Sequence, residues 1–192
     1  MDISERERLI EENMAHLVYR GGSTTMHAVH VDEKYIYFYL YNLSGQLVGY
    51  QRYYKDGSKE YRNNDRDDAK YYTRITHGAK GSVLGVYGLH TYHPQSDLYL
   101  VEGVFDAIVL HRFGYSAIAT LTNNPAHLKS WLSSLPNKII AVPDGDKAGS
   151  KLSIYADTTV DLPEGMDVNK MYTEDRMDEL LKRIRSQHFE VC

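Results

Sequence analysis

The chain has 192 residues, 42% of them hydrophobic and 25% charged, with a formal net charge of −4. That length can bury a substantial core, and the composition is that of a folded globular chain rather than a disordered or fibrous one. The acidic balance excludes a generally cationic nucleic-acid binder but leaves room for a local basic groove, and a single cysteine, Cys192, excludes an internal disulfide framework or a Cys-rich zinc ribbon.

The N-terminus is charged where a signal peptide would be apolar, and no apolar run approaches the ~20 residues of a membrane span. We expect a cytoplasmic protein. Residues 4–19 read as a helix capped by Ser4, with Leu9, Ile10, Met14, Leu17 and Val18 on its apolar side, stopped by Gly21 and Gly22. Residues 35–41 alternate strictly. Ile36, Phe38 and Leu40 fall on one face and four tyrosines on the other, which predicts a strand. The turn 42–45 and the run 47–53 complete a hairpin.

From residue 97 short apolar runs alternate with helical segments. Strands are predicted at 98–102, 116–121, 138–144 and 158–162, with helices near 104–113, 125–135 and 147–156. The alternation predicts an α/β fold with a mainly parallel sheet covered by helices. A last helix spans 174–186, with Met177, Leu180, Leu181 and Ile184 as its stripe. The expected divisions are an N-terminal α+β subdomain over 1–96, the α/β domain over 97–170, and a helical tail over 171–192.

Two of the predicted strands end in carboxylates. Leu98 to Val101 leads into Glu102-Gly103, and Ile139 to Val142 leads through Pro143 into Asp144-Gly145-Asp146. Parallel sheets place ligands at the carboxyl ends of their strands, and a hard ion such as Mg²⁺ takes a few carboxylates while leaving room for phosphate. The bland reading of a lone Asp-Gly-Asp is a polar turn. Glu102 upstream and Asp167 downstream tip the balance toward a metal-dependent phosphoryl-transfer site. Residues 51–80 add eight cations against five acids, and ten of the seventeen tyrosines lie between 35 and 72. Aromatic rings beside Lys and Arg suit single-stranded nucleic acid, although a tyrosine-bearing strand face is more often ordinary sheet surface.

The order Glu102-Gly103, Asp144-Gly145-Asp146 and Asp167-Val168-Asn169 resembles the TOPRIM domain of bacterial-type primases, topoisomerases and certain nucleases. Asp106, four residues after Glu102, and Asn169, where bacterial primases have a second Asp, are similar to the primase version, and Asp-x-Asn to the primase half of phage primase-helicases. Upstream, 47–52, 70–73 and 80–89 follow the order of the primase flanking subdomain. The resemblance implies Asp144, Asp146 and Asp167 as metal ligands, Asp106 and Asn169 as supporting ones, and Glu102 as ligand or base, with Mg²⁺ or Mn²⁺ as cofactor. It implies Arg52, Lys70 and Lys80 as nucleotide or template contacts. Thr73 (where bacterial primases carry Asn), Arg74 and Lys147 are further candidates. The implied activity is synthesis of short RNA primers on single-stranded DNA from nucleoside triphosphates, by a catalytic core without a zinc ribbon or helicase domain, which a helicase or separate zinc-ribbon protein could complement. The competing readings are a TOPRIM nuclease and a non-catalytic nucleic-acid or replisome-binding module.

Overall fold

In the computed structural model, residues 2–59, 66–78, 81–82, 84–122, 124–145 and 149–187 are described. Helix α1 (Ile3–Tyr19) starts one residue earlier than predicted, because Asp2 rather than Ser4 holds the N-cap position. Ser4 Oγ instead donates to Asp2 Oδ2 at 2.7 Å. Leu17 is fully buried, whereas Val18, expected beside it on the apolar side, is 55% exposed. Successive helical residues are rotated by about 100°, so the two cannot share the narrow buried stripe. Gly21 turns the chain with φ 87°, and the Gly22 N–H returns to the Leu17 carbonyl at 2.8 Å.

Strands β1 (Val29–Val31), β2 (Ile36–Tyr41), β3 (Leu47–Tyr53) and β4 (Tyr71–Ile75) form an antiparallel sheet in chain order. Ile36, Phe38 and Leu40 are buried, and Tyr37, Tyr39 and Tyr41 are half-buried on the other face, as period-two alternation requires. The β2–β3 connection is set by Asn42, whose Oδ1 accepts the N–H groups of Ser44 and Gln46 at 3.0 and 2.9 Å. Across the strands Tyr37 faces Arg52, which faces Tyr72, while Tyr39 faces Tyr50, which faces Arg74. Strands β5 (His77–Gly78) and β6 (Gly81–Ser82) make a short antiparallel pair.

The second half is built from β7 (Leu98–Val101), α2 (Val104–Arg112), β8 (Ser116–Ala119), α3 (Lys129–Leu132), β9 (Ile139–Ala141), β10 (Thr158–Thr159), α4 (Val168–Thr173) and α5 (Met177–Ser186). Its sheet is parallel throughout, in the order β10-β9-β7-β8. Every residue of β7, β8 and β9 is buried, which explains why these strands read as unbroken apolar runs. The predicted helix 125–135 is a 3₁₀ turn at Ala126–Leu128 running into the single-turn α3, and 149–155 is also 3₁₀. The helix expected from 174 begins at Met177, and α4 before it was not anticipated.

The chain forms two compact units, Met1–Gly85 and Val86–Cys192. The division falls before the composition change expected at 96/97. Val86 and Tyr87 are fully buried, and Tyr87 pairs antiparallel with Ala119 of β8, which assigns this segment to the second unit. Among the described residues no helix is long and apolar enough to cross a membrane.

Candidate active site at the carboxyl edge of the parallel sheet

Strands β7 and β9 are neighbours, with Leu100 opposite Ala141, and the Val142 N–H continues the ladder to the Leu100 carbonyl at 2.8 Å. Glu102 directly follows β7 and Asp144 lies three residues beyond β9, so both carboxylates leave the same edge of adjacent strands. One oxygen of Glu102, Oε1, is buried. The Glu102 backbone is fixed in turn by the loop after β8, since the Leu121 N–H donates to its carbonyl at 3.0 Å. Leu121 adopts φ 60°, a left-handed conformation that costs a branched side chain about 1–2 kcal/mol and persists only where its surroundings impose it. Thr120 holds the same turn, its N–H donating to the Val101 carbonyl at 2.9 Å and its hydroxyl to the Thr122 carbonyl at 2.6 Å.

The Asp144 turn is clasped to the segment that carries Asp167. Gly145 donates its N–H to the Met166 carbonyl at 2.7 Å, and its own carbonyl accepts from Gly165 N–H at 2.9 Å. A Cβ at position 145 would overlap the Pro163 carbonyl, so the two loops approach this closely only through glycine. Asp167 then caps α4, its Oδ1 accepting the Lys170 N–H at 2.6 Å.

Asp106 and Asn169 face each other. Asp106 lies in the first turn of α2 and is 7% exposed, and Asn169 in α4 is 2% exposed. Asp106 Oδ1 accepts the Asn169 backbone N–H at 2.8 Å, and the Asn169 side-chain amide donates to the Phe105 carbonyl at 3.3 Å. The pair joins the N-terminal turns of α2 and α4. A Cβ on Gly103 would overlap Asp106 Oδ2, so a larger residue after Glu102 would displace that carboxylate oxygen.

All the carboxylates expected here are hard oxygen donors, the set that suits Mg²⁺ or Mn²⁺. Asp146 and Lys147 lie outside the described residues, and among the described residues no three His, Cys, Asp or Glu side chains form a metal-binding group. The described part of the edge therefore supplies the Glu102 and Asp144 pair, with Asp167 on the clasped segment.

The expected cationic contacts separate into distinct settings. Arg52 is an internal staple, with its guanidinium 4.4 Å from the Tyr35 ring and 4.8 Å from the Tyr72 ring, and its side chain only 11% exposed. It also donates to Asp67 Oδ1 at 3.0 Å and to the Arg66 carbonyl, fixing the 66–68 turn over the sheet. Lys70 Nζ stands 5.8 Å over the Tyr53 ring. Thr73 and Arg74 are both exposed, but as successive residues of β4 they point to opposite faces, and Thr73 accepts from Gln51 Nε2 at 3.0 Å. Lys80 lies outside the described residues. The reading by residue type missed Leu121 and Gly165, and took Gly145 only as the glycine of the Asp-Gly-Asp turn; nothing in the pattern marked Leu121.

Residues 99–178 match the Toprim-like family. The chain is 32% identical over 119 residues to a DNA primase of Rickettsia felis, an alignment covering 59% of this chain and 18% of that protein. Its fold matches the Aquifex aeolicus primase structure containing zinc-binding and RNA polymerase domains, with a TM-score of 0.57, 24% identity, and coverage of 80% of this chain and 40% of that one. It also matches the primase fragment of the bacteriophage T7 primase-helicase, with a TM-score of 0.58, 15% identity, and coverage of 78% and 62%. The mixed α/β architecture with its parallel sheet is thus that of primase catalytic cores, and this chain spans less than half of the Rickettsia and Aquifex proteins.

Proposed function

We propose that the chain is a nucleotidyl-transfer core that joins nucleoside triphosphates into short RNA primers on single-stranded DNA. The observation that carries this reading is the emergence of Glu102 and Asp144 from adjacent parallel strands, with the Asp167 segment clasped to the same edge through Gly145 and Gly165. Similarity to a DNA primase and to two primase folds supports it.

Mg²⁺ or Mn²⁺, held by Asp144, Asp146 and Asp167 with Glu102, would neutralise charge on the phosphate oxygens during in-line displacement. Glu102 would alternatively accept the proton of the attacking 3′-hydroxyl. Asp106 and Asn169 are proposed as supporting ligands, and their hydrogen bonds join the first turns of the helices that follow these carboxylates. Lys70, Thr73, Arg74, Lys80 and Lys147 are proposed as nucleotide or template contacts. Arg52 acts by keeping the 66–68 turn in place. A separate zinc-ribbon protein or a replicative helicase is the partner class proposed to select start sites.

Incubation with Mg²⁺ or Mn²⁺, labelled ribonucleotides and single-stranded DNA should yield new short oligomers. Asp144→Asn should lower the yield roughly 100-fold or more without changing the circular dichroism spectrum. Loss of the DNA strand in place of new oligomers would mark a nuclease, and neither product would leave a binding module.

A further inference from the structure

The clasp between the Asp144 turn and the Asp167 segment also carries a cation. Lys170 follows Asn169 in α4, and the two side chains leave the helix about 100° apart. Asn169 is buried and donates its amide to the Phe105 carbonyl, whereas Lys170 is exposed and turns to the clasp, where its Nζ donates to the Gly165 carbonyl at 2.9 Å. The Gly165 N–H in turn bonds the Gly145 carbonyl, so the ammonium stands two hydrogen bonds from the residue after Asp144. The Lys170 backbone N–H is held by Asp167 Oδ1 at 2.6 Å. One residue therefore touches both ends of the segment 165–167.

Closure of the clasp does not depend on that ammonium. Gly145 already makes two backbone bonds, to Met166 and Gly165, and the Lys170 bond adds a solvent-exposed contact to a neutral carbonyl. Such a bond replaces one to water and holds weakly. Among the described residues Lys170 Nζ forms no ion pair, whereas Arg176 and Arg183 of α5 are both engaged by Glu179. Glu102, Asp144 and Asp167 make the edge acidic, and a polyphosphate brings further negative charge to it. An ammonium resting on a carbonyl at that edge can exchange it for a phosphate oxygen, because a charge-assisted bond is the stronger of the two.

We propose that Lys170 leaves the Gly165 carbonyl to bind the β- or γ-phosphate of an incoming nucleoside triphosphate. The identity of that ligand rests on the nucleotidyl-transfer reading of the edge. Calorimetric titration of the full chain with α,β-methylene ATP, in Mg²⁺ and with an oligothymidine present, tests it, since this analogue keeps three phosphates but cannot transfer. Lys170→Met should weaken binding about tenfold or more, and Lys170→Arg should restore most of it. Mn²⁺ binding without nucleotide, followed by electron paramagnetic resonance, should not weaken in Lys170→Met, and its melting temperature should match the parent's.

Unchanged affinity for the analogue in Lys170→Met would overturn the contact. So would joint loss of analogue and Mn²⁺ binding, or early melting with Lys170→Arg failing to restore affinity, either of which would make Lys170 a prop of the clasp. Primer synthesis from ordinary ribonucleotides is measured in parallel, with Asp144→Asn as its control. Primers from a chain whose analogue affinity ignores Lys170 defeat the contact alone, and Lys170-dependent binding without primers defeats the primase reading alone.

Discussion

Gly145 concentrates the geometry of the candidate site into one missing side chain. Its N–H and carbonyl bond to Met166 and Gly165, and the Pro163 carbonyl occupies the space a Cβ would take. Backbone on both sides of the clash cannot yield as a flexible side chain would. Gly145→Ala should therefore separate the Asp144 and Asp167 loops, cost about 1–3 kcal/mol in urea unfolding, and reduce primer synthesis at least tenfold. Stability and activity equal to the parent would show that the clasp does not position Asp144. Asp106 poses a different question, because its oxygen satisfies a buried N–H of Asn169. Asp106→Ala should strand that donor and destabilise the chain by about 1–3 kcal/mol, while Asp106→Asn, which keeps an acceptor oxygen, should lose less. Equal losses in the two variants would argue against the hydrogen bond as the cause.

At the scale of elements, α5 carries a charge arrangement with a definite pH signature. Glu179 accepts from Arg183 Nη2 at 2.8 Å and from Arg176 Nη2 at 2.7 Å, and these bonds, that to Arg183 first, hold its carboxyl below the ordinary value of 4.5. A carboxylate with a lowered folded pKa stabilises fully above its unfolded pKa and loses that contribution as pH falls through the folded value. Glu179→Gln should therefore lower the melting temperature at pH 7, and the gap from the parent should close below pH 4.5. A gap of constant size would assign the effect to packing.

The same scale shows what was legible before the structure. Buried strands β7 and β9 announce themselves by continuous apolar residues, and β2 by alternation, because burial on two faces or one dictates those periods. Helix α4 was missed because six residues give too little periodicity, although Asp167 as its cap was visible as an acidic motif. Carboxylates at strand ends could be placed from pattern alone. The engagement of Arg52 between Tyr35 and Tyr72 could not, since it depends on strand register that pairs residues far apart in the chain.

For the whole molecule, the division at Gly85/Val86 makes a physical claim about which residues complete which core. Residues 86–96 are woven into the second unit by more than proximity. Val86 and Tyr87 have no exposed surface, Tyr87 exchanges backbone hydrogen bonds with Ala119, and its ring packs 6.0 Å from His111. Further along, Tyr92 donates to Asn137 Oδ1 at 2.8 Å, and Asn137 returns its amide to the His93 carbonyl at 2.8 Å. Removing this segment would bare β8 and leave the buried Asn137 without those partners, whereas cutting at 85/86 leaves them intact. A fragment of residues 86–192 should thus melt cooperatively, since it retains the parallel sheet and the helices packed on it. A fragment of residues 97–192 should be weaker by about 3 kcal/mol or more, the scale for losing one large buried aromatic, and should bind a hydrophobic dye. Urea unfolding followed by far-ultraviolet circular dichroism decides between them. Equal midpoints for the two fragments would move the boundary to residue 96, where the change in composition first placed it.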